Sequence, residues 1–387
     1  MPAEADLSQP EHVKPAFVRA DGRVDIKSLT LAQLEAAMKG MGAERFRALQ
    51  VYKWLWQKRV THFSEMLNVS KKVLADLEER FYISFLEPAG VLQSVDGTTK
   101  FLWKTEDGHK IESVLIPDED RLTLCVSTQV GCAMACSFCL TGDLGLKRHL
   151  RPSEIANQPL QVQRYMDAGT WQRPETLTTE RVTNIVMMGM GEPLHNYDNL
   201  VVALKAYLHE HGLGYSHRKV TVSTVGLVPA MQKLAAESPV NIAVSLNATT
   251  EEQRRQVMPI TRRYSMEELL DACRKLPLPK AKRITFEYVM MAGFNDSLED
   301  AHRLVRLMRG IRSKVNLIPY NENPDRQIRR PSEAQVQRFQ HILLDAALNV
   351  SVRATRGKDI SAACGQLGKT EPGQVASFLR VPPQPSA

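Results

Sequence analysis

Nothing in this 387-residue chain approaches the roughly 18 consecutive apolar residues that cross a bilayer. The opening Met-Pro-Ala-Glu-Ala-Asp-Leu-Ser-Gln-Pro also lacks the apolar core of a secretory leader. A membrane-spanning or exported protein is therefore not expected. Cysteine is scarce: six residues, three of them within eight positions, which is too few and too clustered for a secreted disulfide scaffold. That usage points to metal or catalytic chemistry in a reducing cytoplasm. No internal repeat is present, which excludes solenoids and propellers. An acidic excess is missing too; the formal charge is +7 and the isoelectric point near 9.0, a balance that suits a polyanionic partner.

What is present is enough apolar residue, 43% of the chain, to bury a large core. Residues 1–27 are polar and proline-containing, and a mobile N-terminus is expected. Residues 28–82 read as helical within an accessory domain at 28–90. Ser28-Leu29-Thr30 can cap a helix carrying Leu31, Leu34 and Met38, and a second helix from about Ala43 carries Leu49, Tyr52 and Trp56 at helical spacing. Arg45, Arg47, Lys53, Lys58 and Arg59 in the same region form either a solvated face or an RNA-contacting one. Residues 91–121 change to period two, punctuated by Asp96-Gly97 and Asp107-Gly108, signals of two-residue hairpins in a small antiparallel meander that links to the next domain.

From residue 122 to 348, β-rich runs at 122–128, 184–188, 219–224, 241–246, 284–290 and 314–320 alternate with helical patterns such as 266–276 and 298–308. Six strand–helix alternations predict an α/β fold with a parallel sheet, an open partial (βα)6 barrel whose chemistry gathers at the carboxyl ends of the strands. A C-terminal segment at 349–369 follows, and the proline- and serine-containing 370–387 reads as a disordered tail.

The first strand leads into Gly131-Cys132-Ala133-Met134-Ala135-Cys136-Ser137-Phe138-Cys139, a C-x3-C-x2-C spacing. Three thiolates on one loop can hold three irons of a 4Fe–4S cubane and leave the fourth iron open. An open iron can be chelated by the amino and carboxylate groups of S-adenosyl-L-methionine, whose sulfonium bond an electron from the cluster then breaks. Zinc is the competing reading, with Cys125 or a histidine as fourth ligand; structural zinc usually draws on paired C-x2-C units, and no second pair exists. After the second strand, Gly191 and Glu192 of Gly189-Met-Gly-Glu-Pro193 can approach the methionine ammonium. Ser223 and the Ser245-Leu246-Asn247 run occupy equivalent strand ends; the serine hydroxyls either bind carboxylate and ribose or cap the following helices. Asn321, just past the last strand, is an adenine or ribose contact, and Asn316 inside that strand a weaker candidate. Cys125 lies within the first strand, Cys273 on a helix, and Cys364 in a small-residue Ala-Ala-Cys-Gly turn. Glu112 sits on a meander strand.

With these residues in view the chain resembles the RlmN-type radical methyltransferases, bacterial dual-specificity enzymes that methylate C2 of adenine in 23S ribosomal RNA and in certain transfer RNAs. The resemblance covers roughly residues 28–370. It rests on the 46–54 helix, the cysteine loop, and the 188–196 and 315–319 runs, and most specifically on Arg-Gly-Lys-Asp-Ile-Ser-Ala-Ala-Cys-Gly-Gln-Leu at 356–367. It implies a radical SAM barrel, with Cys364 as the methyl-carrying cysteine, Cys125 as the resolving thiol and Glu112 as a proton acceptor. It further implies that Cys364 is methylated and then activated by hydrogen abstraction. The resulting methylene adds to C2, and attack of Cys125 on Cys364 releases the product with a transient disulfide. Asn247 stands where many members carry histidine.

An adenine C2 edge is hidden within a base stack, so the target must be splayed or flipped out, and positioning its backbone needs cations. Arg303, Arg306, Arg309, Arg312, Lys314, Arg326, Arg329 and Arg330 face only Glu322 and Asp325 between residues 303 and 330. Lys147 and Arg148 follow the cluster loop, and Arg353, Arg356 and Lys358 precede Cys364. The expected partners are thus 23S rRNA and tRNA, with an external low-potential electron donor, and the chain is expected to be monomeric. The rival readings are a methyltransferase acting on C8 of ribosomal adenine and a zinc-containing RNA-binding protein.

Overall fold

The computed structural model describes residues 17–169, 171–324 and 326–368. The expected disordered tail at 370–387 lies outside the described residues, as do 1–16 of the expected mobile N-terminus; within 17–27, Phe17 is buried and Val18 bridges to Val24. Two compact units are present: residues up to Leu86 with Leu150–Gln161 and Asp198–Tyr215, and Glu87–His149 with Val162–Tyr197 and the chain from Ser216 onward.

The smaller unit begins with β1 (Val24–Asp25), followed by the helices α1 (Leu31–Gly40), α2 (Arg45–Trp56) and α3 (Lys71–Arg80), and β2 (Phe81–Tyr82), which pairs in parallel with β1. α1 starts where the sequence placed its cap. The Thr30 hydroxyl accepts from the Gln33 N–H at 3.2 Å, and the Thr30 N–H donates to Gln33 Oε1 at 2.8 Å, a reciprocal capping box that satisfies two otherwise orphaned donors. α1 buries Leu34 and Met38; α2 buries Val51, Tyr52, Leu55 and Trp56, the apolar stripe set by their spacing of three and four. A lysine inside this unit is satisfied in full: Lys27 Nζ donates to the Ser84 carbonyl at 3.1 Å and to Asn157 Oδ1 at 3.0 Å.

The larger unit is built on one ten-stranded sheet. Its elements are β3 (Glu87–Gln93), β4 (Thr99–Lys104), β5 (Lys110–Asp118), β6 (Arg121–Cys125), β7 (Gln129–Gly131), α4 (Leu140–Asp143), β8 (Leu146–His149), α5 (Pro152–Asp167), β9 (Asn184–Met187), α6 (Tyr197–Leu208), β10 (Val220–Thr224), α7 (Val228–Glu237), β11 (Asn241–Ser245), α8 (Glu251–Val257), α9 (Met266–Lys275), β12 (Ile284–Met290), α10 (Leu298–Leu307), β13 (Ser313–Pro319), α11 (Glu333–Asp345) and β14 (Val350–Val352). The N-terminal part of α5 and most of α6 belong to the smaller unit. The sheet order is β14-β13-β12-β11-β10-β9-β6-β5-β4-β3. From β6 through β14 all neighbours run parallel, and β3 to β6 are antiparallel.

Five of the six parallel strands begin and end within one residue of their expected bounds; β6 ends three residues early, at Cys125. A seventh strand, β14, was missed: three residues with exposed Ser351 and Val352 carry too little apolar pattern to be read. The meander is not set apart from the barrel strands. β5 pairs with β6 and β6 pairs with β9, so Cys125 sits opposite Val114 on one side and Val186 on the other. Its hairpins are also not two-residue turns. Ser94 pairs with Thr98 and Thr105 with His109, and the glycines at 97 and 108 take φ of +81° and +85° as the last residues of three-residue loops.

Thr30→Ala removes the hydroxyl arm of the α1 capping box and leaves the backbone arm. It should destabilise the chain by about 1 kcal/mol, read as a lower urea midpoint with an unchanged denaturant slope.

Candidate active site at the carboxyl ends of the parallel strands

The parallel strands end around one cavity of about 160 Å³. β9 contributes Met187 and the following Met188, Gly189, Gly191 and Glu192; β10 contributes Ser223 and Thr224; β11 contributes Ser245 and the following Asn247; β12 contributes Glu287 and Val289. The cysteine loop closes another wall with Cys132, Cys136 and Cys139, and Cys364 lines it from the C-terminal segment. Residues from nine separate stretches of chain thus face one mostly apolar space, the usual character of a small-molecule site.

The cysteine loop is shaped by backbone contacts on both sides. Gly131 adopts φ +75°, and a Cβ there would lie 1.8 Å from the Gly145 carbonyl oxygen, so no other residue fits. Cys132 N–H donates to that same carbonyl at 3.1 Å, Ser137 N–H to the Val257 carbonyl at 3.0 Å, and Cys139 N–H to the Cys136 carbonyl at 3.1 Å. Burial pushes all three thiols up, Cys132 to about 12, and mutual repulsion among the three adds to the rise for Cys132 and Cys136. Metal-free, these groups are neutral; ionising them together requires cationic metal. Three thiols spread along one cavity wall are a donor set for a polynuclear cluster, and among the described residues no three His, Cys, Asp or Glu side chains converge as ligands of a single ion.

Glu192 is buried and acts as a backbone clamp. Its Oε1 accepts from Leu194 N–H at 3.1 Å and its Oε2 from Val225 N–H at 2.9 Å, while its own N–H donates to Gln129 Oε1 at 2.8 Å. Burial raises this carboxyl to about 7, and its hydrogen bonds lower it only in part. Gly191 before it takes φ +106° with Gln129 Cβ only 2.6 Å from where its own Cβ would be. Ser223 and Ser245 line the cavity, the Ser245 carbonyl accepting from Arg254. Asn247 lines it in a left-handed conformation, φ +57°, that asparagine tolerates better than most residues. Its amide is engaged by the protein: Oδ1 accepts from Val289 N–H at 2.8 Å and Nδ2 faces Met258 Sδ at 3.4 Å. Leu246, which follows β11, does not line the cavity; its side chain is fully buried in the core.

The C-terminal segment is docked by specific bonds. Leu140 N–H donates to the Gly365 carbonyl at 2.8 Å, Thr141 Oγ1 to the Leu367 carbonyl at 2.9 Å, and Asn321 Nδ2 to the Cys364 carbonyl at 3.1 Å. Asn321 thereby lines the cavity while its amide holds the cysteine turn and accepts from Thr355 at 2.9 Å. Cys364 also lines a second cavity of about 30 Å³, which it shares with Cys125. Burial pushes the Cys125 thiol up to about 12, and the neighbouring Cys364 adds to that. Glu112 lines neither cavity. It is buried on β5, its Oε2 accepting from Gly368 N–H at 3.0 Å and its Oε1 3.9 Å from Lys100 Nζ; burial raises its carboxyl, with Lys100 and the Gly368 bond opposing.

Sequence reading missed Glu287 and Arg353. Glu287, in the cavity wall, accepts from Asn316 Nδ2 at 2.7 Å, so the weaker asparagine candidate faces this carboxylate instead of a ligand. A glutamate in the middle of the apolar run Ile-Thr-Phe-Glu-Tyr-Val-Met was the available signal. Arg353 lines both cavities, its Nη1 3.8 Å from Met188 Sδ; it was counted only as a flanking cation. Several other expected phosphate contacts are committed within the protein. Arg303 and Arg306 pair with Glu299, Arg312 donates to backbone carbonyls, Arg326 pairs with Asp143, Arg330 with Glu333 and Arg148 with Asp107.

Two family models match the chain: the ribosomal RNA large subunit methyltransferase N-terminal domain over residues 24–83, and the Radical SAM superfamily over residues 126–305. The dual-specificity RNA methyltransferase RlmN of Pelobacter propionicus is 52% identical over 346 residues, 89% of this chain and 96% of that protein. Its counterpart in Geobacter sulfurreducens is 52% identical over 347 residues, 90% of this chain and 92% of that protein. The chain belongs to the RlmN family of radical SAM RNA methyltransferases. A crystal structure of a radical SAM methyltransferase from Sphaerobacter thermophilus has the same fold, with a TM-score of 0.80 at 42% identity over 88% of this chain and 98% of that one. RlmN-family chemistry uses a 4Fe–4S cluster and S-adenosylmethionine, which the three-thiol cavity fits and which replaces the zinc-protein alternative. Among the described residues no helix is long and apolar enough to cross a membrane.

Because the folded-state carboxyl of Glu192 sits at about 7 against 4.5 for an ordinary glutamate, the folded cluster-free chain holds a proton there that the unfolded chain releases. Its stability relative to Glu192→Gln should therefore fall as pH rises from about 4.5 to about 7, by up to about 3 kcal/mol. Parallel denaturant melts of the two cluster-free proteins across that range check the slope.

Proposed function

We propose that this enzyme methylates C2 of adenine in 23S ribosomal RNA and in transfer RNA through a methyl group carried on Cys364. The observation that carries the reading is the position of Cys364. It lines the cavity of the three cluster thiols and, on its other side, the small cavity that holds Cys125. A thiol placed between a radical source and a second thiol is what a transferable methyl and its later release both need.

In this reading Cys132, Cys136 and Cys139 hold the cluster, and Gly191, Glu192, Ser223, Ser245 and Asn247 surround S-adenosylmethionine. When bound, the cluster and S-adenosylmethionine supply a 5′-deoxyadenosyl radical by reductive cleavage of the sulfonium C–S bond. The Cys364 thiolate would take a methyl group by displacement from a first S-adenosylmethionine, breaking its S–CH3 bond and releasing S-adenosylhomocysteine, and would present that methyl to the cavity. Adenine C2 carries no acidic proton and no nucleophilic lone pair, so a carbon bound to Cys364 must be activated before it can add there. Cys125 then attacks the Cys364 sulfur, breaking its bond to the transferred carbon and leaving a Cys125–Cys364 disulfide that an external thiol reopens. Glu112 takes up the C2 proton; its raised carboxyl suits a base, and its bond to Gly368 ties it to the segment that carries Cys364.

The target base must leave its stack to reach Cys364. Among the described residues, Arg309, Arg329 and Lys147 carry no side-chain partner and are cations offered to phosphate, as is an electropositive stretch on α2 where Arg47 stacks on the half-exposed Phe46 ring at 4.5 Å.

Cys364→Ala, reconstituted without oxygen, should still convert S-adenosylmethionine to 5′-deoxyadenosine under a strong reductant and should transfer no methyl group to RNA. Product mapping by mass spectrometry and NMR on the wild type should place the label on C2; label on C8 would favour the alternative chemistry, and methylation by the Cys364 variant would end the proposal. RNA affinity should fall roughly in proportion to a power of the salt concentration, with a slope near the number of phosphates neutralised.

A further inference from the structure

Arg254 is 1% exposed and among the largest fully buried side chains of the protein. It lies on α8, and its guanidinium is spent on the strand ends that form the cavity. Nη2 donates to the Val225 carbonyl at 2.6 Å and the Ser245 carbonyl at 3.3 Å, Nε to the Leu246 carbonyl at 3.3 Å, and Nη1 to Thr261 Oγ1 at 2.9 Å. Val225 in turn donates its N–H to Glu192. One side chain therefore joins the end of β10, the end of β11 and the Glu192 clamp.

Among the described residues no carboxylate is hydrogen-bonded to it: Glu251, one turn away, acts on it only through space and is itself taken by Arg255 and by Met266 N–H. A buried cation without a hydrogen-bonded counter-charge is costly. The group that the same helix brings toward it is a cluster thiol. Val257 and Met258, following Arg254 on α8, pack against Cys136, and the Val257 carbonyl accepts from Ser137 N–H. Burial lowers the guanidinium to about 10, with Cys136, Glu251 and Cys273 opposing that fall, so it stays charged at neutral pH.

We propose that Arg254 is a positioning residue that locks the S-adenosylmethionine-facing strand ends to the cluster loop and supplies the buried positive charge that stabilises the reduced cluster. The inference rests on Cys132, Cys136 and Cys139 being the cluster ligands. Reduction adds one negative charge, and a fixed cation in a water-poor interior favours that state with little screening by salt.

The test uses the full chain, reconstituted anaerobically, as wild type, Arg254→Met, Arg254→Lys and Thr261→Val. Midpoint potentials come from EPR-monitored redox titration, and affinities from titration with S-adenosylmethionine. Arg254→Met should lower the reduced-to-oxidised ratio at a given potential about tenfold, a shift of about 59 mV for one electron. Arg254→Lys should keep a potential near that of wild type yet bind S-adenosylmethionine several-fold more weakly, because one ammonium cannot serve four acceptors in the planar guanidinium's geometry. Thr261→Val, which removes an acceptor and no charge, should leave the potential unchanged.

An iron-replete Arg254→Met protein with the wild-type potential overturns the electrostatic role. Unchanged S-adenosylmethionine affinity in Arg254→Lys overturns the positioning role. Should Arg254→Met fail to fold or hold iron, Arg254→Lys decides: retention of iron and potential supports the charge, and loss of both like the methionine variant overturns it. Wild type that takes up no iron would instead refute the cluster assignment on which the proposal stands.

Discussion

The hydrogen bond from Leu140 N–H to the Gly365 carbonyl, with its neighbour from Thr141 to Leu367, is the contact on which the site depends. It fastens the turn that carries Cys364 to the residue just after the third cysteine of the loop. Without it Cys364 would be one thiol among six, more than two hundred residues from the chemistry. With it, and with Asn321 holding the Cys364 carbonyl, that thiol becomes part of the wall that Cys132, Cys136 and Cys139 also line. Backbone bonds of this kind are individually modest, but they are directional, and direction is what a reaction between sulfur and carbon requires.

The sheet supplies the rest of the constraint. Antiparallel β5 and parallel β9 flank β6, so Cys125 is held between two neighbours with its backbone fully engaged. A thiol in that position is buried and protonated, its ionisation pushed up to about 12, and remains quiet while metal-free. The cavity collects acids as well as thiols. Glu192 and Glu287 are both raised by burial, and each spends its oxygens on N–H donors of the scaffold. Burial thus disfavours ionisation of these acids and thiols, and Arg254, fully buried with no carboxylate hydrogen-bonded to it among the described residues, lies on the helix that ends against Cys136.

Much of this was readable in one dimension. The parallel strands alternate with helices at spacings that only a βα repeat produces, and their limits follow from runs of β-branched and apolar residues. The cysteine triplet is a local motif whose ligands share one loop, so its chemistry needs no tertiary information. What escaped reading was short, polar or non-local. β14 has three residues and little apolar content. Leu246 was drawn in with its serine and asparagine neighbours although its side chain is buried in the core. Arg353 read only as a cation flanking Cys364 and Arg254 drew no notice, because sequence carries no record of burial, and the basic stretch at 303–330 proved largely paired within the fold.

Local patterns alone were enough to point to a barrel-like α/β chain with a cysteine loop suited to an iron–sulfur cluster after its first parallel strand, because spacing of thiols and periodicity of apolar side chains are properties of neighbouring residues. The likeness of the 356–367 run then named a family. Which side chains meet was left to the folded chain. Cys364 reaches the cluster loop, Glu192 clamps Val225, and Arg254 is buried against carbonyls of two strands, all across sequence separations that carry no local signal. Such pairs are set by the register of the sheet and the docking of the C-terminal turn, where many weak contacts must be satisfied at once.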